Sequence, residues 1–336
     1  HNVTHDEWAI RDCDTCHSDD SRITQSVTLA GYVPSGVIPT FRSTAATSIN
    51  GDLSISDDGK LIYQPKTNTD VTDIYILGHD NVRGVDLFGA LLFVGMIAGV
   101  SVHSGLRYYS ARRRVPYETQ LRREYMYSVY ERQWHWLQTT VILGLIFTGL
   151  VIHKPDIFGM FSFRYVVQIH NVFAVILLIN AALAAFYHLV SGDIQQYLPR
   201  PRGFFNQAVE QAIFYIRGIF RGDPHPFEKT PQRKLNPLQQ ITYLMILNVL
   251  LPLQVITGAL MWGAQRWPDT SEKLGGLVYV APLHTLVAWL FASFIILHVY
   301  LTTTGHTPTA GIRSMILGWD DLAVHESASS EEDTEA

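Results

Sequence analysis

Five long stretches of the chain contain no Asp, Glu, Lys or Arg: Leu87–Leu106, Gln133–His153, Tyr165–Gly192, Leu235–Gln265 and Leu274–Ile312. Each holds one helix core of roughly 20 to 26 residues, the length that crosses a bilayer's hydrocarbon layer, and the last adds an uncharged interfacial continuation. Soluble core helices are rarely so long and so free of charge. The pattern predicts an all-α integral membrane protein with five transmembrane helices. Ahead of the first, residues 1–85 change period. Leu53-Ser54-Ile55 and Leu61-Ile62-Tyr63 alternate, and Asn50-Gly51 and Asp58-Gly59 are turn dipeptides, so a small exterior domain with a few short strands is expected. Between the third and fourth windows, Phe205, Val209, Ala212, Ile213, Ile216, Ile219 and Phe220 recur at helical spacing. They predict an amphipathic helix near 204–222, lying on the membrane surface.

Composition sharpens this picture. Charged residues are 16% of the 336 and hydrophobic ones 47%, against about 25% charged in ordinary globular proteins, which excludes a conventional soluble enzyme. A net charge of −5 gives no support for nucleic-acid binding. Basic residues are unevenly placed. Arg107, Arg112, Arg113, Arg114, Arg122, Arg123 and Arg132 follow the first span, and Arg200, Arg202, Arg217, Arg221, Lys229, Arg233 and Lys234 follow the third. The other loops carry only Lys154 and Arg164, or Arg266 and Lys273. The positive-inside rule therefore puts the N-terminus in the periplasm and the C-terminus in the cytoplasm of a bacterial or archaeal inner membrane. Trp134, Trp136, Trp262 and Trp267 sit at span ends, where indole rings favour the interface. The chain opens at His1 with neither methionine nor signal sequence, which reads as a processed form of an exported segment. The acidic, small-residue tail 327–336 reads as disordered.

Both cysteines fall in Cys13-Asp14-Thr15-Cys16-His17, so no disulfide framework is available. Two thiols at this spacing match the two vinyl groups of haem, and His17 is placed to coordinate the iron. A zinc site would want a second cysteine pair and a thioredoxin-like site a βαβ context; neither is present. One covalent haem c is expected. Its sixth ligand is His79, just before the first span, or His5, upstream of the motif, with His1 a weaker third.

Histidines mark the spans as well: His103, His135, His153, His170, His188, His284 and His298. One such residue is ordinarily a packed side chain, but ionisable groups in a bilayer are costly and this many call for a function. His284 and His298 are 14 positions apart, about 21 Å along a helix with an angular offset of about 40°. One helix thus presents two ligands at two depths on one face. The third span enters from outside, which puts His170 level with His284, and the second starts inside, which puts His135 level with His298. Two b haems follow, an outer one on His170–His284 and an inner one on His135–His298. His188, 18 positions from His170 and on its face, could replace His298 or sit near a quinone. Gly144, Gly149 and Gly258 could let a porphyrin approach, or simply let helices meet.

Residues 132–320 resemble the di-haem cytochrome b subunits of membrane-bound formate dehydrogenase, thiosulfate reductase and nickel-iron hydrogenase. The resemblance lies in His135-Trp136 opening a span, in Leu283-His284 through His298-Val299-Tyr300, and in Lys234-Leu235-Asn236-Pro237-Leu238-Gln239-Gln240 before the fourth span. Thr257-Gly258 with Trp262 completes it. It implies that the last four helices form a bundle ligating two b haems through the corresponding four histidines, which favours His298 over His188. It also implies a quinone site at Asn236, with Lys234 and Gln239 beside it. The extra first span and the haem c segment depart from the family's four-span subunit.

The resulting division is 1–85, a periplasmic haem c segment; 86–106, an extra span; 107–132, a cytoplasmic loop; 133–312, the di-haem domain; and 313–336, a cytoplasmic tail. The expected function is electron transfer between a periplasmic partner, a multihaem cytochrome c or an iron–sulfur subunit, and a quinone (menaquinone or ubiquinone) near the cytoplasmic face. Two rivals are a structural anchor for a periplasmic enzyme and a b561-type reductase acting on ascorbate or ferric iron.

Overall fold

The computed structural model describes residues 25–33, 36–40, 51–65, 82–113, 120–155, 157–199, 203–227, 229–264, 266–267, 270, 273–274 and 276–323. The chain divides into two compact units, His1–Asp80 and Asn81–Ala336. In the first, β1 (Val27–Ala30), β2 (Gly51–Ile55) and β3 (Leu61–Pro65) form an antiparallel sheet in the order β1-β3-β2. The β2–β3 hairpin pairs Leu53 with Tyr63 and Ile55 with Leu61. It turns where Gly59, at φ +77°, donates its amide to the Ser56 carbonyl, a conformation that Gly adopts at no steric cost. Gly51 opens β2; Asn50, Cys13, Cys16, His17, His1, His5, His79 and the 327–336 tail lie outside the described residues.

The second unit is mostly helical, with five helices among the described residues long and apolar enough to cross a membrane. These are α1 (Arg83–Arg112), α2 (Val129–His153), α3 (Phe163–Ser191), α5 (Pro237–Gly263) and α6 (Gly276–Thr302). Helix α4 (Phe204–Ile213) lies between α3 and α5, and α7 (Ala310–Leu317) follows α6. Two starts are fixed by reciprocal capping boxes, Ser128 with Glu131 for α2 and Asn236 with Gln239 for α5, where Pro237 also occupies the first turn. Helix α3 ends at Gly192, φ +80°. Within α5 the residues Ile246–Leu250 form a π-helical turn. Pro252, which lacks the N–H that would close onto Asn248, lies just beyond it.

Helix α2 packs on α3, α5 on α6, and α4 on the start of α5. Helix α1 packs on α6, where Gly89 lies directly against the Trp289 ring. Along α4 and the π-helical turn Phe214–Gly218 that continues it, Phe205, Val209, Ile213 and Ile216 are exposed while Phe204, Ala208, Gln211 and Phe214 are buried. An exposed apolar stripe of this kind suits a helix laid on a bilayer.

The end of α1 and the nature of the segments 107–132 and 313–336 differ from the expectation. Helix α1 runs past 106 to Arg112, because Arg107, Tyr108, Tyr109 and Arg112 continue a helix as readily as they sit at an interface. Helix α6 ends at Thr302, ahead of the uncharged continuation to Ile312. There Thr302, Thr303 and Thr304 donate their hydroxyls to the carbonyls of Val299, Tyr300 and Leu301, and Gly305 follows. The segments 107–132 and 313–336 are not simple loop and tail, since β4 (Leu121–Tyr125) pairs antiparallel with β5 (Trp319–Ala323).

Candidate functional site: two histidine pairs inside a helix bundle

Histidines from four helices meet two by two. His170 on α3 faces His284 on α6 with ring centres 6.5 Å apart, and His135 on α2 faces His298 on α6 at 6.3 Å. Two metal–nitrogen bonds of about 2 Å each, with half the width of each ring, put facing imidazole centres roughly 6 to 6.5 Å apart. Among the described residues no group of three or more His, Cys, Asp or Glu comes together. Paired imidazoles facing across a gap suit an iron whose remaining ligands come from a porphyrin. The donor set fits haem b at both levels.

Thr148 and Gly149 on α2, and Thr257 and Gly258 on α5, shape the first pair. The Thr148 hydroxyl is 2.8 Å from His170 Nδ1 and the Thr257 hydroxyl 2.9 Å from His284 Nδ1. A Cβ added at Gly149 would sit 3.5 Å from His170 Cε1, and one at Gly258 would sit 3.2 Å from His284 Cε1. The second contact is tight, so glycine at 258 is what lets the His284 ring lie against the neighbouring backbone, whereas the first is an ordinary van der Waals distance. The Gln254 amide lies 3.0 Å from His284 Nε2.

The second pair has a different environment. His135 Nδ1 is buried with no hydrogen-bond partner among the described residues, and His298 Nδ1 is 3.5 Å from the Tyr243 hydroxyl. His188 packs on Trp134, Tyr187 and Tyr197, with its Nε2 3.5 Å from the Tyr197 hydroxyl. The structure thus brings together His135 and His298 and sets His188 against an aromatic wall. Burial pushes the Tyr197 phenol well above its usual range, so it stays protonated.

At the adjoining end of the bundle, Asn236 Oδ1 accepts from the Gln239 amide at 2.9 Å and Gln239 Oε1 accepts from the Asn236 amide at 3.0 Å. Asn236 Nδ2 donates to the Tyr215 hydroxyl at 3.3 Å. Lys234 is paired with Glu131. Gln211 on α4 is fully buried, with neither its oxygen nor its nitrogen partnered among the described residues. It lies one turn from Tyr215, and Gln207, one turn the other way, accepts from Arg233 at 3.1 Å. Gln211 therefore faces the segment that carries Asn236.

The remaining membrane histidines are consumed structurally. His103 Nε2 donates to the Tyr215 carbonyl at 2.9 Å, so its Nδ1 accepts from the Tyr300 hydroxyl and ties α1 to α6 and to the π-helical turn Phe214–Gly218 after α4. His153 Nε2 is 2.6 Å from Asp86 Oδ1, while Lys154 reaches the other oxygen at 2.9 Å. Sequence reasoning overlooked Thr148, Gln211, Tyr197 and Tyr243. The repeated Thr-Gly step, Phe147-Thr148-Gly149-Leu150 against Ile256-Thr257-Gly258-Ala259, was the available signal for the first.

A bundle with two stacked imidazole pairs defines a membrane cytochrome b. The family model for prokaryotic cytochrome b561 matches residues 126–318, the span from just before α2 to just after α7. The chain is also 31% identical over 233 residues to YdhU of Escherichia coli (strain K12), provisionally named a cytochrome. That match covers 69% of this chain and 87% of the relative. No solved structure matches the chain. The chain belongs to the prokaryotic cytochrome b561 family and is a multi-pass, electron-transferring membrane protein that binds b haem.

Proposed function

We propose that this cytochrome exchanges electrons between a periplasmic redox partner and a quinone near the cytoplasmic face. In this reading it holds a b haem on His170–His284, a second on His135–His298, and a covalent haem c on Cys13, Cys16 and His17, with His79 or His5 as the sixth ligand. The observation that carries the reading is the pair of ring separations, 6.5 and 6.3 Å, at two depths of one bundle. Haem supplies the one-electron chemistry when bound. The chain supplies axial imidazoles, low-dielectric burial and spacing between the two levels.

The excess of Arg and Lys after the first and third spans supports a cytoplasmic Lys234 end. There Asn236, with Tyr215 and the unpartnered Gln211 amide, offers both donors and acceptors to a quinone oxygen, and Lys234 and Gln239 lie beside it. The partner is a multihaem cytochrome c or an iron–sulfur subunit. Periplasmic electrons that reduce quinone with cytoplasmic protons separate charge across the membrane, storing about 2.3 kcal/mol per charge per 100 mV.

Pyridine haemochrome analysis of the purified chain tests the cofactor content, with two haem b and one haem c expected. Absence of haem b would sink the proposal, and absence of haem c would remove the periplasmic segment from it. Titration of haem b oxidation with a quinone analogue separates a quinone site from a reductase of ascorbate or ferric iron, because only the former responds.

A further inference from the structure

Thr148 and Thr257 occupy matched places in the bundle. Each lies on the helix beside a proposed haem-ligand histidine, each is followed by a glycine that lies beside that histidine's Cε1, and each puts its hydroxyl on Nδ1. A threonine hydroxyl has one proton to give. Thr148 gives it to the Gly144 carbonyl at 2.7 Å, and Thr257 gives it to the Leu253 carbonyl at 2.7 Å. Towards the imidazoles both oxygens can then only accept, so His170 and His284 carry their protons on Nδ1 and leave Nε2 bare. The Gln254 amide, a donor 3.0 Å from His284 Nε2, agrees with that tautomer.

The back-bond alone is ordinary, since Thr139, Thr140 and Thr242 make the same contact to the carbonyl one turn earlier. The distinguishing feature is the second partner, a ligand histidine on the next helix. We infer that Thr148 and Thr257 are positioning residues for the His170–His284 haem, fixing both axial imidazoles as Nδ1–H tautomers aimed by Nε2 and making it the lower-potential b haem of the two. The inference rests on the haem assignment proposed above.

The asymmetry between the two levels carries the second half. An Nδ1–H that donates a hydrogen bond makes its ring more basic at Nε2, which favours the ferric state and lowers the potential. At the first level both ligands have an acceptor within 2.9 Å. At the second, His135 Nδ1 has no partner among the described residues and the Tyr243 hydroxyl is 3.5 Å from His298 Nδ1. Electrons arriving at the His170–His284 level therefore fall in free energy towards the Asn236 end. That is the direction of quinone reduction.

The test is an optical redox titration of the two b haems in the full-chain holoprotein, with ferric-haem electron paramagnetic resonance read alongside. Thr148→Val and Thr257→Val keep shape and remove the acceptor, whereas the Thr→Ser variants keep it. The lower of the two potentials should rise in each valine variant. At a fixed ambient potential the oxidised-to-reduced ratio of that haem should fall about threefold or more, roughly 28 mV at 59 mV per tenfold. Its low-spin signal should shift, the other haem should stay put, and serine should restore both readouts. Haem lost with valine and regained with serine supports the same role. An unmoved lower potential in the double valine variant, a shift of the higher potential instead, or serine behaving as valine would overturn the inference. Wild-type protein lacking two b haems defeats the underlying assignment before any variant is made, so the two failures are distinct.

Discussion

Lys234 Nζ lies 2.5 Å from Glu131 Oε1, with the two side chains only 13% and 11% exposed. The other Glu131 oxygen accepts the Ser128 amide at 2.8 Å and closes the cap of α2. One carboxylate therefore fastens the start of α2 to the segment leading into α5. Removing a single partner strands a buried charge, which costs about 3 kcal/mol. Glu131→Gln should lower the melting temperature of the detergent-solubilised protein, and Lys234→Met on top of it should recover part of the loss. Equal destabilisation in single and double variants would show that the pairing contributes nothing.

His284→Ala and His298→Ala should each remove about half of the haem b absorbance in reduced-minus-oxidised spectra. The two variants should leave different haems behind. If His298→Ala keeps both haems while His188→Ala loses one, the assignment of the second pair is wrong.

The glycines beside the first pair differ in tolerance. An added methyl at Gly258 lands 3.2 Å from His284 Cε1, whereas at Gly149 it lands 3.5 Å from His170 Cε1, an ordinary contact. Gly258→Ala should disturb the spectrum or retention of one b haem, and Gly149→Ala should leave both intact. Haem content of the two purified variants checks this, and identical behaviour would count against the proposed ring positions.

Asn236 serves the cap through its oxygen and Tyr215 through its nitrogen. Asn236→Asp keeps the capping oxygen and gives up the amide donor. Fold and haem content should persist while quinone-analogue binding weakens by about tenfold or more, roughly 1.4 kcal/mol. Unchanged binding with Asp, together with lost stability in Asn236→Ala, would leave the residue as a cap alone.

His225, in the segment between α4 and α5, has its pKa held below 6.5 mainly by burial, with Lys229 and His306 adding repulsion. Its Nδ1 donates to the Phe227 carbonyl at 3.0 Å, and its ring packs on Phe214 and Tyr215. The unfolded chain binds this proton more readily than the folded one. Stability supplied by the neutral ring is therefore complete above about 6.5 and is lost as pH falls from there through the lower folded-state value. Melting curves between about pH 7.5 and 5.5 should show a steeper acid loss for wild type than for His225→Gln; parallel curves would refute it.

The spans were legible because charge exclusion acts on each segment separately. The level-matching of His170 with His284 and of His135 with His298 followed from helix arithmetic plus alternating direction, both local rules. The threonine contacts were not legible in the same way, because a threonine in an apolar helix ordinarily satisfies itself on its own backbone. Only the recurrence of Thr-Gly on α2 and α5 distinguishes Thr148 and Thr257. The pairing of β4 with β5 had no local signal at all. Leu121-Arg122-Arg123-Glu124-Tyr125 reads as a charged loop, and its partner lies about two hundred residues away, a separation at which strand pairing leaves no short-range pattern.

That two-stranded ribbon has a consequence for how the protein is put together. Leu121 pairs with Ala323 and Tyr125 with Trp319, so the chain enters and leaves the region 126–318 at a single spot. A domain whose ends are neighbours behaves as a cassette: it can be spliced behind other segments without stretching either junction. Helix α1 then precedes a self-closing electron-transfer cartridge and packs on it from outside the clasp, through α6. Exchanging what lies upstream of Leu121 would leave the histidine-bearing helices α2, α3 and α6, with α5 beside them, fastened at the same clasp.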